Sequence, residues 1–302
     1  MPATAGAAGC LRRQPPDGRE SNNRKRRNRM RRLTLLPALF LALVFFLIPV
    51  AIMLWQGLFD PDFTIRHFER FFTRGAYLRI FLNSVKISAI TAALCVLIGY
   101  PVAYFIVRRP PALRPLLLFL VLVPMWMSVL VRSYAWMVLL GREGLVNGAL
   151  IWLGLTEAPL KLLYTGGAVH LAMVQILLPV AVITCYGTMA DIDQSLLRAA
   201  RIMGARPWAA FRQVFLPLSL EGAVTALLIV FVLSVGFFIV PALLGGPRDQ
   251  MVANIIATQV AKANWGFAAA VALVLLVFTL AVMGAIRALA RRFVYSARED
   301  NA

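Results

Sequence analysis

Long apolar runs separated by short polar segments set the pattern of this chain. Six runs reach the length needed to cross a bilayer, about 20 residues for about 30 Å of hydrocarbon. They are 33–56, 81–107, 116–140, 165–187, 222–244 and 266–287, of which the third and fifth have the clearest ends. The pattern predicts an all-α, polytopic membrane protein with six transmembrane helices. A seventh stretch, 149–155, is too short to span and is expected to form a re-entrant or interfacial turn. Residues 1–32 show no apolar periodicity and carry ten Lys/Arg, which predicts a disordered basic cytoplasmic tail. The run that follows is too long for the core of a signal peptide and has no A-x-A site near its end, so it reads as an uncleaved anchor. The expected organisation is therefore a tail over 1–32, a six-helix domain over 33–290 and a cytoplasmic C-terminal tail over 291–302.

Charge orients the runs. With the N-terminus inside, the inner segments hold 21 Lys/Arg and the outer segments 8, while Lys86 and Arg132 fall within spans. The positive-inside rule then places both termini in the cytoplasm. The two inner loops between spans differ sharply. Residues 108–115 form a short link, whereas 188–221 form a long segment that reads as helix, turn, helix. Asp191 or Asp193 can cap its start, and Leu196, Leu197, Ala200 and Met203 recur at helical spacing. Gly204 is placed to end the first helix and Pro207 to begin the second.

Composition supports this reading and closes others. The chain is 61% hydrophobic with a mean hydropathy of +0.78, more apolar surface than a soluble domain of 302 residues can hide. The net charge of +18 lies in loops between apolar runs, so its acidic partner is the lipid headgroup layer and not nucleic acid. Cys10, Cys95 and Cys185 are scattered and suggest neither a metal site nor a disulfide framework. The four lysines, Lys25, Lys86, Lys161 and Lys262, are none of them followed by Ser or Thr, so no phosphate loop for ATP exists. His67 and His170 stand apart, no H-E-x-x-H or G-x-S-x-G occurs, and Asp60, Asp62 and His67 read as solvated loop charge. No catalytic or metal-binding residue is predicted.

The expected spans contain no Asp or Glu. An ion-coupled carrier usually keeps an intramembrane carboxylate and paired interrupted helices, so a stand-alone secondary transporter or channel is the weaker alternative. A membrane-anchored assembly subunit is a third option, but it has no use for a docking loop. Lys86 can snorkel to the interface along its stem. Arg132 lies deeper, at a cost of about 2.5–3.5 kcal/mol near a helix centre, and is either bundle glue or part of a pathway. Prolines 37, 49, 101, 124, 179 and 241 permit kinks, a weak sign of a cavity that opens alternately.

The long inner loop reads Arg198-Ala199-Ala200, three residues, Gly204, nine residues, Val214-Phe215-Leu216-Pro217. This resembles the E-A-A-x(3)-G-x(9)-I-x-L-P loop of binding-protein-dependent ABC importer permeases, with Arg198 in place of the glutamate and Val214 in place of isoleucine. Further segments resemble the spermidine/putrescine-type permeases: Val123–Trp126, Leu130–Trp136, Leu140–Gly144, Leu177–Pro179, Pro241–Gly246 and Asn264-Trp265. The resemblance implies a type I importer permease of MetI-like fold in the bacterial inner membrane. It implies partners as well: two ATPase subunits holding ATP and Mg, a second and different permease chain, and a periplasmic binding protein delivering a small solute, a polyamine by preference. No cofactor is expected on this chain. It makes Arg198, Ala199, Ala200, Gly204, Val214, Leu216 and Pro217 the ATPase-coupling residues. Arg132, Tyr134, Trp136 and Lys86 are candidate pathway residues. The apolar Ala199, Ala200, Ile202, Met203 and Trp208 on a polar face of the membrane need a cover, a groove on an ATPase or the bilayer surface itself.

Overall fold

The computed structural model describes residues 66–299 continuously, apart from the side chains of Gln194 and of 289–299, together with scattered positions between 37 and 59. The chain divides into two units, Met1–Trp55 and Gln56–Ala302, and the second holds all the elements named below. The expected tail 1–32 lies outside the described residues, and the expected span 33–56 is described only at scattered helical positions.

The elements are α1 (Arg66–Thr73), α2 (Gly75–Val107), α3 (Arg114–Leu122), α4 (Val129–Leu140), α5 (Leu145–Trp152), α6 (Gly166–Ala190), α7 (Gln194–Ile202), α8 (Pro207–Ala210), α9 (Leu216–Val235), α10 (Ile239–Leu244), α11 (Val252–Ala261) and α12 (Trp265–Glu299). A 3-10 turn, Val123–Trp126, follows α3, and a π turn, Phe211–Phe215, joins α8 to α9. Among the described residues four stretches are long and apolar enough to cross a membrane: Gly75–Val107, Gly166–Ala190, Pro207–Val235 and Trp265–Ala288. A fifth is a bent pair, Arg114–Trp126 with Val129–Trp152, whose halves meet at 87°.

The centre of the bundle is the mutual packing of α2, α6 and α9. Small residues let the helices approach. A Cβ on Gly99 of α2 would stand 3.1 Å from the Ala181 Cβ of α6, and one on Gly222 of α9 would meet the Thr188 Cβ at 2.6 Å. Around these contacts Cys95, Ala103, Ala172, Val182, Cys185 and Val230 are fully buried. A second cluster of Phe71, Phe81, Val252, Ile255, Phe267 and Val271 ties α1, α11 and α12 to the start of α2. Many large apolar side chains face outward instead, among them Leu97, Leu120, Val138 and Leu145, as lipid requires.

Several expected boundaries are corrected. The third and fifth runs are both interrupted. Pro124, with no N–H to donate, sits in the 3-10 turn where 116–140 breaks, and Met127 and Ser128 are extended. Within 222–244, α9 ends at Gly236 and the chain restarts as α10. The fifth span also begins earlier than expected, so Glu221, a surface residue, lies inside its helix; only 222–244 is free of carboxylates. Helix α2 begins at Gly75, not near 81, which puts Lys86 about three turns from its end. The short stretch 149–155 is the end of α5 and the turn after it. Helix α12 runs through residue 290 to Glu299.

Candidate functional site

The segment 188–221 is a built structure. Asp193 caps α7: its Oδ1 accepts the Ser195 N–H at 2.8 Å and its Oδ2 accepts the Ser195 hydroxyl at 2.6 Å. Those two bonds, with a smaller contribution from Arg198, hold the Asp193 carboxyl below its ordinary value. The far end of α7 closes with paired bonds. Gly204 N–H donates to the Arg201 carbonyl and Ala205 N–H to the Ala200 carbonyl, each at 3.0 Å, with Gly204 at φ +88°. This is a Schellman closure. It accounts for part of the motif's spacing, because the second alanine supplies the carbonyl and the glycine four residues on supplies the left-handed backbone. Pro207 then opens α8 at its first position, where its missing N–H leaves nothing unsatisfied.

The turn exposes a patch. Ile202, Met203 and Trp208 are 87%, 82% and 69% exposed, and Ala199 and Arg198 face the same surroundings. The two alanines part company: Ala200 is turned inward at 7% exposure, so only Ala199 contributes to the open surface. Apolar side chains this exposed and clustered mark a binding surface.

Beyond α8 the chain does not loop back to the membrane. It passes through the π turn into α9 as one helix from Pro207 to Val235. Leu216 N–H bonds the Phe211 carbonyl, the wide i to i−5 spacing. Pro217 follows at once, and a proline ring clashes with the carbonyl four residues back in a regular helix; the wide turn relieves that clash. Val214 and Leu216 are half-buried at this junction and Pro217 is exposed. Tyr104, near the end of α2, clamps the π turn between the rings of Phe211 and Phe215, with centroids 5.2 and 5.1 Å away. Tyr100, one turn earlier, reaches the Ser219 hydroxyl at 2.6 Å. Ser219 itself donates to the Leu216 carbonyl, so Tyr100 is the donor.

The candidate pathway residues are not all brought together. Arg132 is 7% exposed, and its Nε and Nη1 have no hydrogen-bond partner. Trp136, one turn along α4, is half-buried against the main core. Tyr134 points outward, and Lys86 is exposed on α2.

A cavity of about 630 Å³ opens between α10 and α11, lined by Phe238, Pro241, Gly245, Gln250, Asn254 and Thr258. Neutral amides fix its walls. Asn83 of α2 donates to the Arg248 and Gln250 carbonyls at 3.0 and 3.2 Å, and Ser84 accepts the Val252 N–H at 2.7 Å. Asn254 donates to the Phe238 carbonyl at 2.9 Å. Buried Asn147 does similar work after the bent pair, bonding the Gly141 carbonyl and both backbone groups of Leu160. Sequence reasoning missed Tyr100, Asn83, Ser84, Asn147 and Asn254. The signal was present as isolated neutral polar residues in or beside apolar runs. Among the described residues no cluster of His, Cys, Asp or Glu could hold a metal.

Residues 82–295 match the family described as binding-protein-dependent transport system inner membrane component. The chain belongs to that family. It is 36% identical over 230 residues to the spermidine/putrescine transport system permease protein PotB of Haemophilus influenzae, covering 76% of each chain. It is 35% identical over 200 residues to PotB of Escherichia coli strain K12, covering 66% of this chain and 73% of the relative. Its fold matches the crystal structure of a bacterial alginate ABC transporter in complex with alginate pentasaccharide-bound periplasmic protein. That match has a TM-score of 0.72 at 18% identity and covers 89% of this chain and 96% of the other. This family member is thus a polytopic inner-membrane permease of an ABC importer, a transport component and not an enzyme. The permease works with ATPase and periplasmic binding-protein partners, which sets aside the stand-alone carrier or channel.

Proposed function

We propose that this chain is one half of the transmembrane channel of a polyamine importer, paired with a second, different permease chain. Both termini lie in the cytoplasm. ATP and Mg stay on the ATPase subunits, and the surface of Ile202, Met203, Trp208 and Ala199 is where an ATPase docks. The observation that carries this reading is the capped, Schellman-closed turn, which presents three exposed apolar side chains on either side of the motif glycine. The single helix Pro207–Val235 then delivers ATPase movement straight into the bundle. Arg198, at the glutamate position, makes no ion pair among the described residues and is free to meet a carboxylate on the partner.

The polyamine reading rests on the relatives' names and on the walls of the open cavity. Phe238 offers a ring face to an ammonium group, and Gln250, Asn254 and Thr258 offer neutral dipoles. The cavity holds no carboxylate, and the charge needed to favour a cation comes from the second chain or the binding protein. The test is reconstitution of the whole complex in vesicles with labelled spermidine and putrescine. ATP-dependent uptake, with no hydrolysis by the isolated chain, is the expected result. Uptake without ATPase subunits, or cytoplasmic inaccessibility of cysteines placed at 202 and 203, would overturn the reading.

A further inference from the structure

Below the Tyr104 clamp the structure holds a second cavity, of about 290 Å³, which the coupling turn leaves unused. Its walls are Arg108 and Arg114, flanking the short link after α2, and Arg201 from the last turn of α7. Its floor is apolar and aromatic: Tyr104, Phe211 and Phe215. Among the described residues none of the three arginines forms an ion pair with a carboxylate. Two of them are held ready. Arg108 lies over the Tyr104 ring at 5.3 Å, which leaves the edge of its guanidinium free. Arg114 donates its Nε to the Arg109 carbonyl at 2.8 Å, which fixes the side chain and leaves the terminal nitrogens open. Guanidinium groups preset in this way match the oxygens of a phosphate and lose little freedom on binding it.

The position selects the occupant. Val107 ends one span and Arg114 begins the next, so the arginines stand at the level where the bilayer presents its headgroup phosphates. An apolar floor continuous with the bundle suits glycerol and the first carbons of acyl chains, which a free inorganic anion lacks. We propose that this pocket binds the phosphate of an anionic phospholipid, wedged between the coupling turn and the end of α2. The lipid then bridges α7 and the short link, whose arginines line the same pocket. Its headgroup makes the resting position of the turn depend on the membrane's composition. This rests on the coupling role proposed above for its effect on transport, but not for binding itself.

The test uses the assembled transporter, purified and placed in discs of phosphatidylcholine alone or with phosphatidylglycerol as the minor component. Retained phosphatidylglycerol is counted by native mass spectrometry, and ATP hydrolysis is followed in parallel. Each of Arg108→Gln, Arg114→Gln and Arg201→Gln is expected to lower retention about fivefold, from about 1 kcal/mol per basic residue at a lipid surface. Arg201→Lys should keep most of it, and Arg212→Gln, outside the pocket on the same segment, should leave it unchanged. Variants are first confirmed as intact complexes by size-exclusion chromatography. Equal losses from Arg212→Gln and Arg201→Gln would mean diffuse attraction and overturn the proposal. So would displacement of the lipid by inorganic phosphate at comparable concentration, which would make the pocket a site for a soluble anion. Retention that follows the pocket arginines while hydrolysis ignores lipid would uphold the binding site and count against the coupling role alone.

Discussion

Gly204 shows how one residue serves both the fold and the surface. Its φ of +88° costs an alanine about 1–2 kcal/mol, yet a Cβ there would meet nothing within 4 Å. The strain is therefore purely conformational, and asparagine, which tolerates this region, should relieve most of it. Gly204→Asp adds a carboxylate to the proposed apolar docking face, where an unpaired buried charge costs several kcal/mol. Coupling energies are about 1–3 kcal/mol, so the charge decides the outcome. Gly204→Asn should retain most uptake, whereas Gly204→Asp should lose uptake and ATPase co-purification at normal membrane level. Wild-type co-purification of Gly204→Asp would show that the turn is not the docking element. Asp193 makes a pH prediction. Its carboxyl is held low by Ser195, so the cap's contribution is complete above the ordinary carboxylate range and is lost as pH falls through the lowered value. Amide exchange in α7 should be steady from about pH 5 to 8, once corrected for intrinsic rates, and faster on further acidification. In Asp193→Asn that acid-side change should vanish.

Among the elements, the tie between α2 and α9 is the clearest energetic unit. Tyr100→Phe removes a donor but leaves Ser219 bonded to Leu216, so about 1 kcal/mol is expected. Ser219→Ala strands the Tyr100 hydroxyl and should cost more, up to about 3 kcal/mol. Thermal unfolding of the purified complex ranks the two, and the reverse order would place the bond's worth elsewhere. These elements also show what was legible beforehand. A cap at Asp191 or Asp193, the stop at Gly204 and the restart at Pro207 are local chemistry and could be read directly, and the structure chooses Asp193. The breaks after α3 and α9 could not, because hydropathy reports how apolar a run is and not whether its backbone is continuous. Pro124 signalled a kink, but the 87° angle depends on what α4 packs against. Neutral Tyr100, Asn83 and Asn147 vanish in a tally of charges, although each fixes a junction.

At the scale of the whole molecule, the proposed pairing makes this chain one half of a channel. Its core is close, small-residue packing of α2, α6 and α9, while the cavity beside α10 opens outward. In the proposed coupling the motion is carried by the helix from Pro207 to Val235, about 43 Å long, with the exposed turn at one end and the core along its length. Sequence reading gave 188–221 its helix-turn-helix form but treated its second half as separate from the span, since a wide turn followed by proline looks like a boundary. That wide turn has a consequence for how the chain tolerates gain or loss of residues. A π turn carries one residue more than an α turn, so it behaves as a tooth of slack in a geared shaft. Removing Leu220, in the regular part, spins one end against the other by about 100° and should abolish uptake. Removing Gln213 lets the slack close while both ends keep their phase; it restores the clash at Pro217 but should still be the milder lesion. If so, the spacing between Gly204 and Leu216-Pro217 records an angle and not a length.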